Sequence, residues 1–476
     1  RVSPPERAMI LRPSPVSDAP SLQDLLISGG DTRLVLADGV NQYFVPATVV
    51  PGALMRSSCT GSPPTNRSWE ACCAARKSLL DHAKFTSCGD ELEVSMQSVR
   101  DRLRALWAPE LTESSRPSIV CTPSGTDAEL LVTALALMRH PMWPGVPQMD
   151  CLVTNILSAG GEVGSGTANA CAGRYFSDTV PLGEFVKVKL GDSIPGFSDR
   201  VEVVSVLARD SDGTVVSAGK EIISSVNRAV NEQGRIAVVH MVQCSKTGLC
   251  MPDLDVMRHL KRTHGNKVLG VVDAAQARTS AEQLQSFLKE GLIVTITGSK
   301  FFAGPAFSGA VILPQTEVSM LAEGLKPPTG LSQFLTEYDL DPELRGAFAG
   351  ALSPGGNIGL ALRWHGALSS MQHFLSIDPK ITREVVSLWQ QRVRAEYQQH
   401  APVLQLWPPQ DCDRDGAASI LCFTLHAGGS GPPDAVADGG GAGGGQAGGG
   451  VGPCLASADL KRVCQCMSAD LTTLLP

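Results

Sequence analysis

The sequence predicts an α/β protein with a mostly parallel β-sheet covered by helices on both faces, joined to a smaller α/β domain near the C-terminus. Two observations support this prediction. From about residue 100, short runs rich in Val and Ile alternate with helical stretches. The runs are apolar throughout, rather than at every second residue, which is typical of strands that are buried on both faces of a parallel sheet.

The strands and helices follow from this alternation. The predicted strands are Ser118–Cys121, Cys151–Ile156, Ile236–Met241, Val268–Asp273, Leu292–Thr297 and Gly309–Leu313. The predicted helices are Asp127–Arg139, Lys220–Glu232, Leu254–Thr263, Asn357–Met371 and Lys380–Gln399. A strand-like run follows at Ser419–Leu425. In a sheet of this type, a ligand lies at the carboxyl ends of the strands.

The chain divides into three parts by composition. Residues 1–94 form an N-terminal segment that we expect to contribute to the small domain, and residues 95–326 form the large domain. Residues 327–476 form the C-terminal small domain. This domain is short, and one interpretation is that it is incomplete. Within it, the Gly-rich insert 427–452 cannot bury a core and is expected to be a flexible loop.

Composition excludes several classes of function. The 476 residues are 43% hydrophobic and 18% charged with a net charge of -7, so no basic face for nucleic acid is expected. No apolar run reaches the ~18 residues of a membrane span. The 14 cysteines contain no paired Cys-x-x-Cys units, so we predict reduced thiols and no metal site. We expect a cytoplasmic or organelle-matrix protein, although the sequence begins at Arg1 and would not display a removed leader.

The chemistry-bearing residues stand at the ends of two predicted strands. Asp273 closes an apolar run with Gln276 one turn later, and Lys300 follows the next run, beside Thr297 and Ser299. Pyridoxal phosphate needs a lysine amine for a Schiff base and a carboxylate to keep its ring nitrogen protonated. Each residue also has a simpler interpretation, a helix-capping acid or a surface lysine, and the combination favours the cofactor.

A third group follows the first predicted strand. Ser124, Gly125 and Thr126 form a small hydroxyl-rich turn, and Thr126-x-x-Glu129 has the pattern of a capping box that begins a helix. Such a turn presents free backbone N–H groups to an anion at the positive end of the helix dipole. An ordinary helix cap is the alternative interpretation of this turn when it is taken alone.

These motifs, in this order, resemble the fold-type-I pyridoxal-phosphate enzymes, especially the class V aminotransferase and cysteine desulfurase branch. The segment from His240 through Gly248 with Pro252, and the Gly304-Pro305 pair after the lysine, are similar to that branch, and the resemblance covers roughly residues 95–370. Residues 95–326 would then be the cofactor-binding domain of a homodimer that acts on a small amino substrate.

The resemblance also implies roles for individual residues. Lys300 would form the Schiff base and move a proton, and Asp273 would bind the ring nitrogen. The other residues that the resemblance assigns to the cofactor are Ser124, Gly125, Thr126, Thr297 and Ser299 for the phosphate, and Gln276 for the ring oxygen.

The sequence departs from that branch at several positions. Ser299 stands where a histidine is common, and the loop at residues 158–167 has no ring to stack on the cofactor. Glu162 in this loop is a candidate substrate-binding carboxylate, and Arg363 is a candidate anchor for a substrate carboxylate. The context of Cys454 does not match the mobile cysteine loop of a desulfurase.

The sequence therefore predicts an aminotransferase-like enzyme that acts on an amino acid or small amine through a Lys300 Schiff base. A lyase, decarboxylase or desulfurase on the same scaffold is the first alternative. A non-catalytic relative that keeps only the fold is the second.

Overall fold

A computed structural model describes residues 20–52, 60–82, 88–139, 152–183, 186–210, 213–321, 326–399, 404–406 and 419–425. The described residues form two compact units. The first runs to Ser376 without 247–249, and the second contains 247–249 and the described residues from Ile377 onward. The insert 427–452, the run Leu455–Leu475, whose sequence pattern predicts a helix, and Cys454 lie outside the described residues. The predicted domain limits at 94/95 and 326/327 stay predictions.

The helices of the described chain are α1 Leu22–Ile27, α2 Asn66–His82, α3 Cys88–Trp107, α4 Gly125–Leu137, α5 Thr167–Cys171, α6 Gly219–Asn227, α7 Leu254–His264, α8 Ala281–Lys289, α9 Gln315–Val318, α10 Pro342–Arg345, α11 Ile358–Leu375 and α12 Pro379–Gln399. The strands are β1 Ser118–Thr122, β2 Val153–Gly160, β3 Val201–Leu207, β4 Ile236–Val242, β5 Val268–Ala274, β6 Ile293–Thr297, β7 Gly309–Leu313, β8 Leu404–Leu406 and β9 Phe423–Leu425.

Seven strands of the first unit form one sheet in the order β1-β7-β6-β5-β4-β2-β3. The neighbours from β6 through β5, β4 and β2 to β3 are parallel, whereas β7 runs antiparallel to both β6 and β1. The predicted α/β class with a mostly parallel sheet is thus confirmed. The carboxyl ends of β2, β4, β5 and β6 meet at one edge of this sheet.

Helices cover both faces of the sheet. Successive residues of β5, which face opposite sides, demonstrate this. Leu269 and Val271 belong to a buried core that includes most of α4. The residue between them, Gly270, faces the opposite side, where a Cβ would lie 3.2 Å from the Met257 Cε of α7 and closer still to Leu292. Because side chains alternate along a strand, α4 and α7 lie on opposite faces.

The predicted strands and helices agree with the structure within five residues at each end, whereas β3 is one of several elements that the sequence did not predict. Its residues are mostly half-buried at the edge of the sheet, so the run lacks the apolar character that marks the central strands. The helix predicted at Lys220–Glu232 is α6 followed by a π-helical turn at Arg228–Glu232.

The described part of the second unit consists of α12 and an antiparallel two-stranded sheet. In this sheet Leu404 pairs with Leu425 and Leu406 with Phe423. The ring of Phe423 contacts Tyr397 of α12 edge-on, with centroids 5.1 Å apart. Among the described residues, no helix is both long and apolar enough to cross a membrane.

Candidate active site

A cleft opens at the carboxyl ends of the parallel strands, at the edge where such sheets bind ligands. It brings together nine of the residues singled out in the sequence, which are Ser124, Gly125, Thr126, Glu162, Asp273, Gln276, Thr297, Ser299 and Lys300. They come from the turns after β1 and β2, from the ends of β5 and β6, and from the turns after these two strands. The topology therefore places at one cleft residues that lie up to 176 positions apart in the chain.

The N-terminus of α4 forms one end of the cleft. The helix cap is Ser124, whose Oγ accepts from the backbone N–H of Thr126 at 3.2 Å and of Asp127 at 3.3 Å. The predicted capping box at Thr126 and Glu129 is therefore wrong by two residues, because Ser124 and Asp127 occupy these positions. Glu129 instead lies inside the helix and lines the cleft.

An arginine from the N-terminal segment reaches this helix end. The Arg33 guanidinium donates from Nη1 to Thr126 Oγ1 and from Nη2 to Ser124 Oγ, both at 3.0 Å. It also binds Asp31 through Nε and Nη2, at 2.6 to 3.0 Å. The guanidinium carbon lies 5.2 Å from the ring centroid of Phe176 and 5.5 Å from that of Phe307. The ring contacts and hydrogen bonds hold Arg33 in one position.

The charges at this end are one cation and two buried carboxylates. Burial lowers the pKa of Arg33, but Asp31 and Asp127 more than offset it, so the pKa is raised and the guanidinium stays charged. Burial raises the pKa of Asp127 to about 7, against the opposing effect of Arg33. When Asp127 is protonated, Arg33 and Asp31 balance each other and the helix dipole remains available to an anion.

Asp273, the second-last residue of β5, is a half-buried carboxylate of the cleft. Its Oδ1 accepts from the backbone N–H of Ala275 at 3.0 Å. Burial raises the pKa of Asp273, the nearby Glu129 raises it further, and the positive charges of Lys300 and His240 oppose the rise. Lys300 and Asp273 are thus close enough for their charges to interact across the cleft.

Lys300 stands at the turn that follows β6, between buried residues. Thr297 and Ser299, which precede it, are 2% and 1% exposed. The Thr297 Oγ1 donates to the Ala275 backbone carbonyl at 2.6 Å, which fixes the end of β6 against the turn after β5. A Cβ on Gly125 would lie 3.0 Å from the Thr297 Cγ2, so glycine allows α4 to approach β6 closely.

Gln276 and Glu162 line the cleft with partners of their own. The Gln276 Oε1 accepts from Arg278 at 2.8 Å. Glu162 is 8% exposed and accepts from Arg209 through Oε1 and from the Ser245 hydroxyl through Oε2, both at 2.6 Å. Glu162 is therefore a buried, ion-paired carboxylate of the cleft wall rather than a solvated loop acid.

Arg363, the predicted substrate anchor, does not line the cleft. It is fully buried in α11, and its guanidinium donates to the backbone carbonyls of Phe307, Leu26, Ser28 and Gly29 at 2.6 to 3.1 Å. This arginine ties the N-terminal segment to the chain that follows Lys300. Burial lowers its pKa to about 10.

Sequence reasoning missed several residues of the cleft. Arg33 and Tyr43 come from the N-terminal segment, Phe307 follows β6, and Lys246 with Cys244 follows β4. The rings of Tyr43 and Phe307 meet edge-on with centroids 5.9 Å apart. They give the cleft an aromatic surface, which the loop at residues 158–167 does not provide. Lys246 belongs to the segment from His240 through Gly248. The resemblance of this segment to the desulfurase branch was the available signal for a second lysine in the cleft.

Backbone strain gathers at the same edge of the sheet. Ala159, Cys244, Ala277 and Ala303 have positive φ angles of 55°, 65°, 55° and 49°. They lie at or just after the carboxyl ends of β2, β4, β5 and β6, one for each strand. Left-handed backbone costs a residue with a Cβ about 1–2 kcal/mol, and strain of this kind concentrates at functional sites.

Comparisons with known proteins give structural likeness only. No protein-family model matches the chain, and no curated protein is similar to it. Among solved structures, an apo cysteine desulfurase from Thermococcus onnurineus NA1 is 13% identical with a TM-score of 0.45 and covers 78% of each chain. The cystine C-S lyase C-DES, in complex with cysteine persulfide, is 13% identical with a TM-score of 0.47, covering 79% of this chain and 86% of its own.

A third structure, SPT with pyridoxal phosphate as internal aldimine, is 15% identical with a TM-score of 0.45 and covers 85% of this chain and 81% of its own. The sequence identity of these three structures to the chain is 13–15%. Their TM-scores lie below 0.5, so the chemistry of the cleft has to be argued from its own residues.

Proposed function

We propose that the chain is a pyridoxal-phosphate-dependent enzyme whose cofactor lies in the cleft and is attached to Lys300. The observation that carries this proposal is the placement of Lys300 and Asp273 in one cleft whose far end is the N-terminus of α4. An amine, a carboxylate and an anion-binding helix end are the three groups that this cofactor requires.

The residues of the cleft fit the cofactor group by group. Ser124, Gly125, Thr126, Thr297 and Ser299 would hold the phosphate, and Gln276 would face the ring oxygen. Asp273 would accept a hydrogen bond from the protonated ring nitrogen, and a protonated ring is what allows the bound cofactor to withdraw electrons from a substrate. Lys300, once released from the cofactor, would act as the base at the substrate Cα.

The proposed reaction class is transfer of an amino group from an amino acid or small amine. Transamination requires a base, here Lys300, and a carboxylate that anchors the ring, here Asp273. Lyases and decarboxylases require the same two groups. Glu162, which lines the cleft and is paired with Arg209, remains the proposed polar contact to substrate. Arg363 is saturated by backbone carbonyls and does not line the cleft, so it is withdrawn as the anchor of a substrate carboxylate.

The first experiment is to add pyridoxal phosphate to the purified protein, reduce with borohydride and map the modified peptide by mass spectrometry. We expect a visible chromophore before reduction and a covalent adduct on Lys300. The Lys246→Ala variant is the matched control, because Lys246 lines the same cleft and should be dispensable for attachment. A colourless protein that cannot be reconstituted, or an adduct on Lys246, would contradict the proposal.

Product analysis separates the reaction classes. Formation of a keto acid that depends on an amino-group acceptor indicates a transaminase. Release of carbon dioxide or of a small fragment without an acceptor indicates a lyase, decarboxylase or desulfurase. We further propose a homodimer, as the resemblance implies, and sedimentation of the holoprotein at the mass of a single chain would contradict it.

A further inference from the structure

Beneath the cleft lies a buried cluster that the proposed cofactor chemistry does not use. It consists of Glu129 on α4, His240 on β4, Asn155 on β2 and Cys171 at the end of α5. The side chains of Glu129 and His240 are 4% and 3% exposed. A buried carboxylate beside a buried imidazole is costly unless their charges are balanced, so the protonation of this cluster needs a physical explanation.

Asn155 determines which nitrogen of His240 carries a proton. The Asn155 Nδ2 donates to the Cys171 carbonyl at 2.7 Å and to the Thr133 hydroxyl at 3.2 Å, which fixes the orientation of the amide. Its Oδ1 therefore faces the His240 Nε2, at 3.0 Å. Because an amide oxygen only accepts, the Nε2 of His240 has to be the donor.

The other ring nitrogen of His240 faces Glu129. The Nδ1 lies 2.9 Å from the Glu129 Oε2, although this contact does not meet the geometry of a hydrogen bond. Two lone pairs at this distance would repel each other, so either Nδ1 or Oε2 carries a proton. The pair is then either an imidazolium with a carboxylate or a neutral imidazole with a carboxylic acid.

Sheet register places this pair beside Asp273. Val242 pairs with Asp273 across β4 and β5, and His240 precedes Val242 by two residues. Residues two apart on a strand point to the same face, so His240 and Asp273 both face α4, where Glu129 stands. The titratable groups that act on Asp273 from the surrounding elements are Glu129, His240, Lys300 and, more weakly, the Cys171 thiol.

We propose that His240 is an imidazolium that allows two carboxylates, Glu129 and Asp273, to remain charged together under the cleft. With His240 and Lys300 positive and both carboxylates negative, the four groups sum to zero. A neutral imidazole beside a protonated Glu129 would also sum to zero, but imidazole is the stronger base of the two by about 2 pKa units in model peptides, which favours the proton on His240. His240 and Glu129 are thus positioning residues, which set the charge of Asp273 without touching a substrate. The link to catalysis rests on the proposed function, whereas the charge balance itself does not.

A metal ion is the competing explanation, since the ligand atoms of Glu129, Cys171 and His240 lie within 4.8 Å of one another. Two observations disfavour it. Glu129 faces Nδ1 whereas the Cys171 Sγ lies 3.9 Å from Nε2, and one imidazole cannot offer both nitrogens to one ion. Nitrogen and oxygen ligands of tetrahedral zinc stand about 3.3 Å apart by geometry, which is wider than the observed 2.9 Å.

The test uses the full chain without cofactor, in which aspartate carboxyl carbons are labelled with 13C and titrated by NMR. The Asp273 signal is assigned by its loss in Asp273→Asn. We expect His240→Gln to raise the midpoint of Asp273 titration by at least one pH unit, and Glu129→Gln to lower it. The double variant should return close to the wild-type midpoint, because both charges are removed together.

The control variant is Cys171→Ala, which removes a neutral neighbour of both residues and should leave the midpoint in place. An unchanged midpoint in His240→Gln, or shifts of the same sign in both single variants, would overturn the proposal. If the variants do not fold, 15N NMR of the wild-type histidines decides instead. Both ring nitrogens of His240 should carry protons at pH 7, and an unprotonated Nδ1 or one equivalent of bound zinc would refute the inference.

The result is distinguishable from failure of the proposed function. If pyridoxal phosphate does not bind but the midpoints shift as expected, the charge balance holds and the cofactor assignment fails. If the cofactor attaches to Lys300 but the midpoints do not move, the opposite conclusion follows.

Discussion

Arg33 and Thr126 are 93 residues apart in the sequence, yet the guanidinium of one donates to the hydroxyl of the other at 3.0 Å. This contact brings the N-terminal segment to the first turn of α4, where a phosphate would bind. A cation at a helix N-terminus is unfavourable by itself, because it meets the positive end of the helix dipole. Asp31, Asp127 and a bound anion would each offset that cost.

Arg33→Met should therefore weaken binding of pyridoxal phosphate but not of pyridoxal, which lacks the phosphate. Hydrogen bonds to charged groups contribute about 1.5–3 kcal/mol, so we expect a loss of roughly 10- to 100-fold in affinity. Absorbance titration of both ligands measures it. Arg174→Met is the matched control, since Arg174 is bound to the Gly191 carbonyl outside the cleft. Equal losses for both ligands would argue against a phosphate contact.

The raised pKa of Asp127 predicts a pH dependence of stability. A carboxyl group with a folded-state pKa of about 7, raised from 3.8, binds its proton more tightly when folded. Its stabilising contribution is present below pH 4 and is lost as the pH rises towards 7. Asp339, whose pKa burial also raises to about 7, acts in the same window.

Asp127→Asn should consequently flatten the decline in unfolding free energy between pH 4 and 7, by about 1.4 kcal/mol for each unit of pKa shift removed. Urea titrations at a series of pH values measure this change, with Asp24→Asn at an exposed position of α1 as the control. A decline as steep as in the wild type would mean that Asp127 is not the titrating group.

The left-handed backbone at Ala303 predicts that glycine is better tolerated there than alanine. Relief of about 1–2 kcal/mol of strain exceeds the 0.5–1 kcal/mol entropic cost of glycine. Ala303→Gly should raise the unfolding free energy by roughly 0.5–1 kcal/mol. Ala134→Gly within α4 is the matched control and should lower it. Loss of stability in both variants would show that φ at residue 303 is not the governing factor.

Substitution of Arg363 should lower the unfolding free energy strongly and should have no direct effect on cofactor attachment. Arg363→Met removes the donor for four buried carbonyls, and each unsatisfied group costs about 1–3 kcal/mol. We expect a loss of 3 kcal/mol or more in the unfolding free energy, measured by urea denaturation. Arg363→Lys should recover only part of it, because an ammonium cannot match the planar fork of the guanidinium. A change below about 1 kcal/mol would contradict this role.

The sequence predicted the central strands and the cleft well because these depend on local patterns. β4, β5 and β6 are continuous apolar runs, and Asp273 and Lys300 stand at their ends. Topology then requires such residues to meet at one edge of the sheet.

The remainder depends on contacts between distant parts of the chain. Arg33 reaches the cleft only because the N-terminal segment folds over it, and nothing local distinguishes it from a surface arginine. The structural role of Arg363 could not be predicted either, because its partners are backbone carbonyls, which leave no pattern in the sequence. β3 was missed because its half-buried position at the edge gives a mixed sequence.

The hydrogen bonds of Arg363 also determine where this protein can vary. Its partners at Leu26, Ser28 and Gly29 are main-chain oxygens, which every amino acid carries, so substitutions at residues 26 and 28 leave the acceptors in place. Gly29 is different, because its φ is +62° and a Cβ would overlap the Asn357 side chain. Related proteins should therefore retain an arginine at position 363 and a glycine at position 29, whereas these hydrogen bonds place no constraint on the side chains at positions 26 and 28.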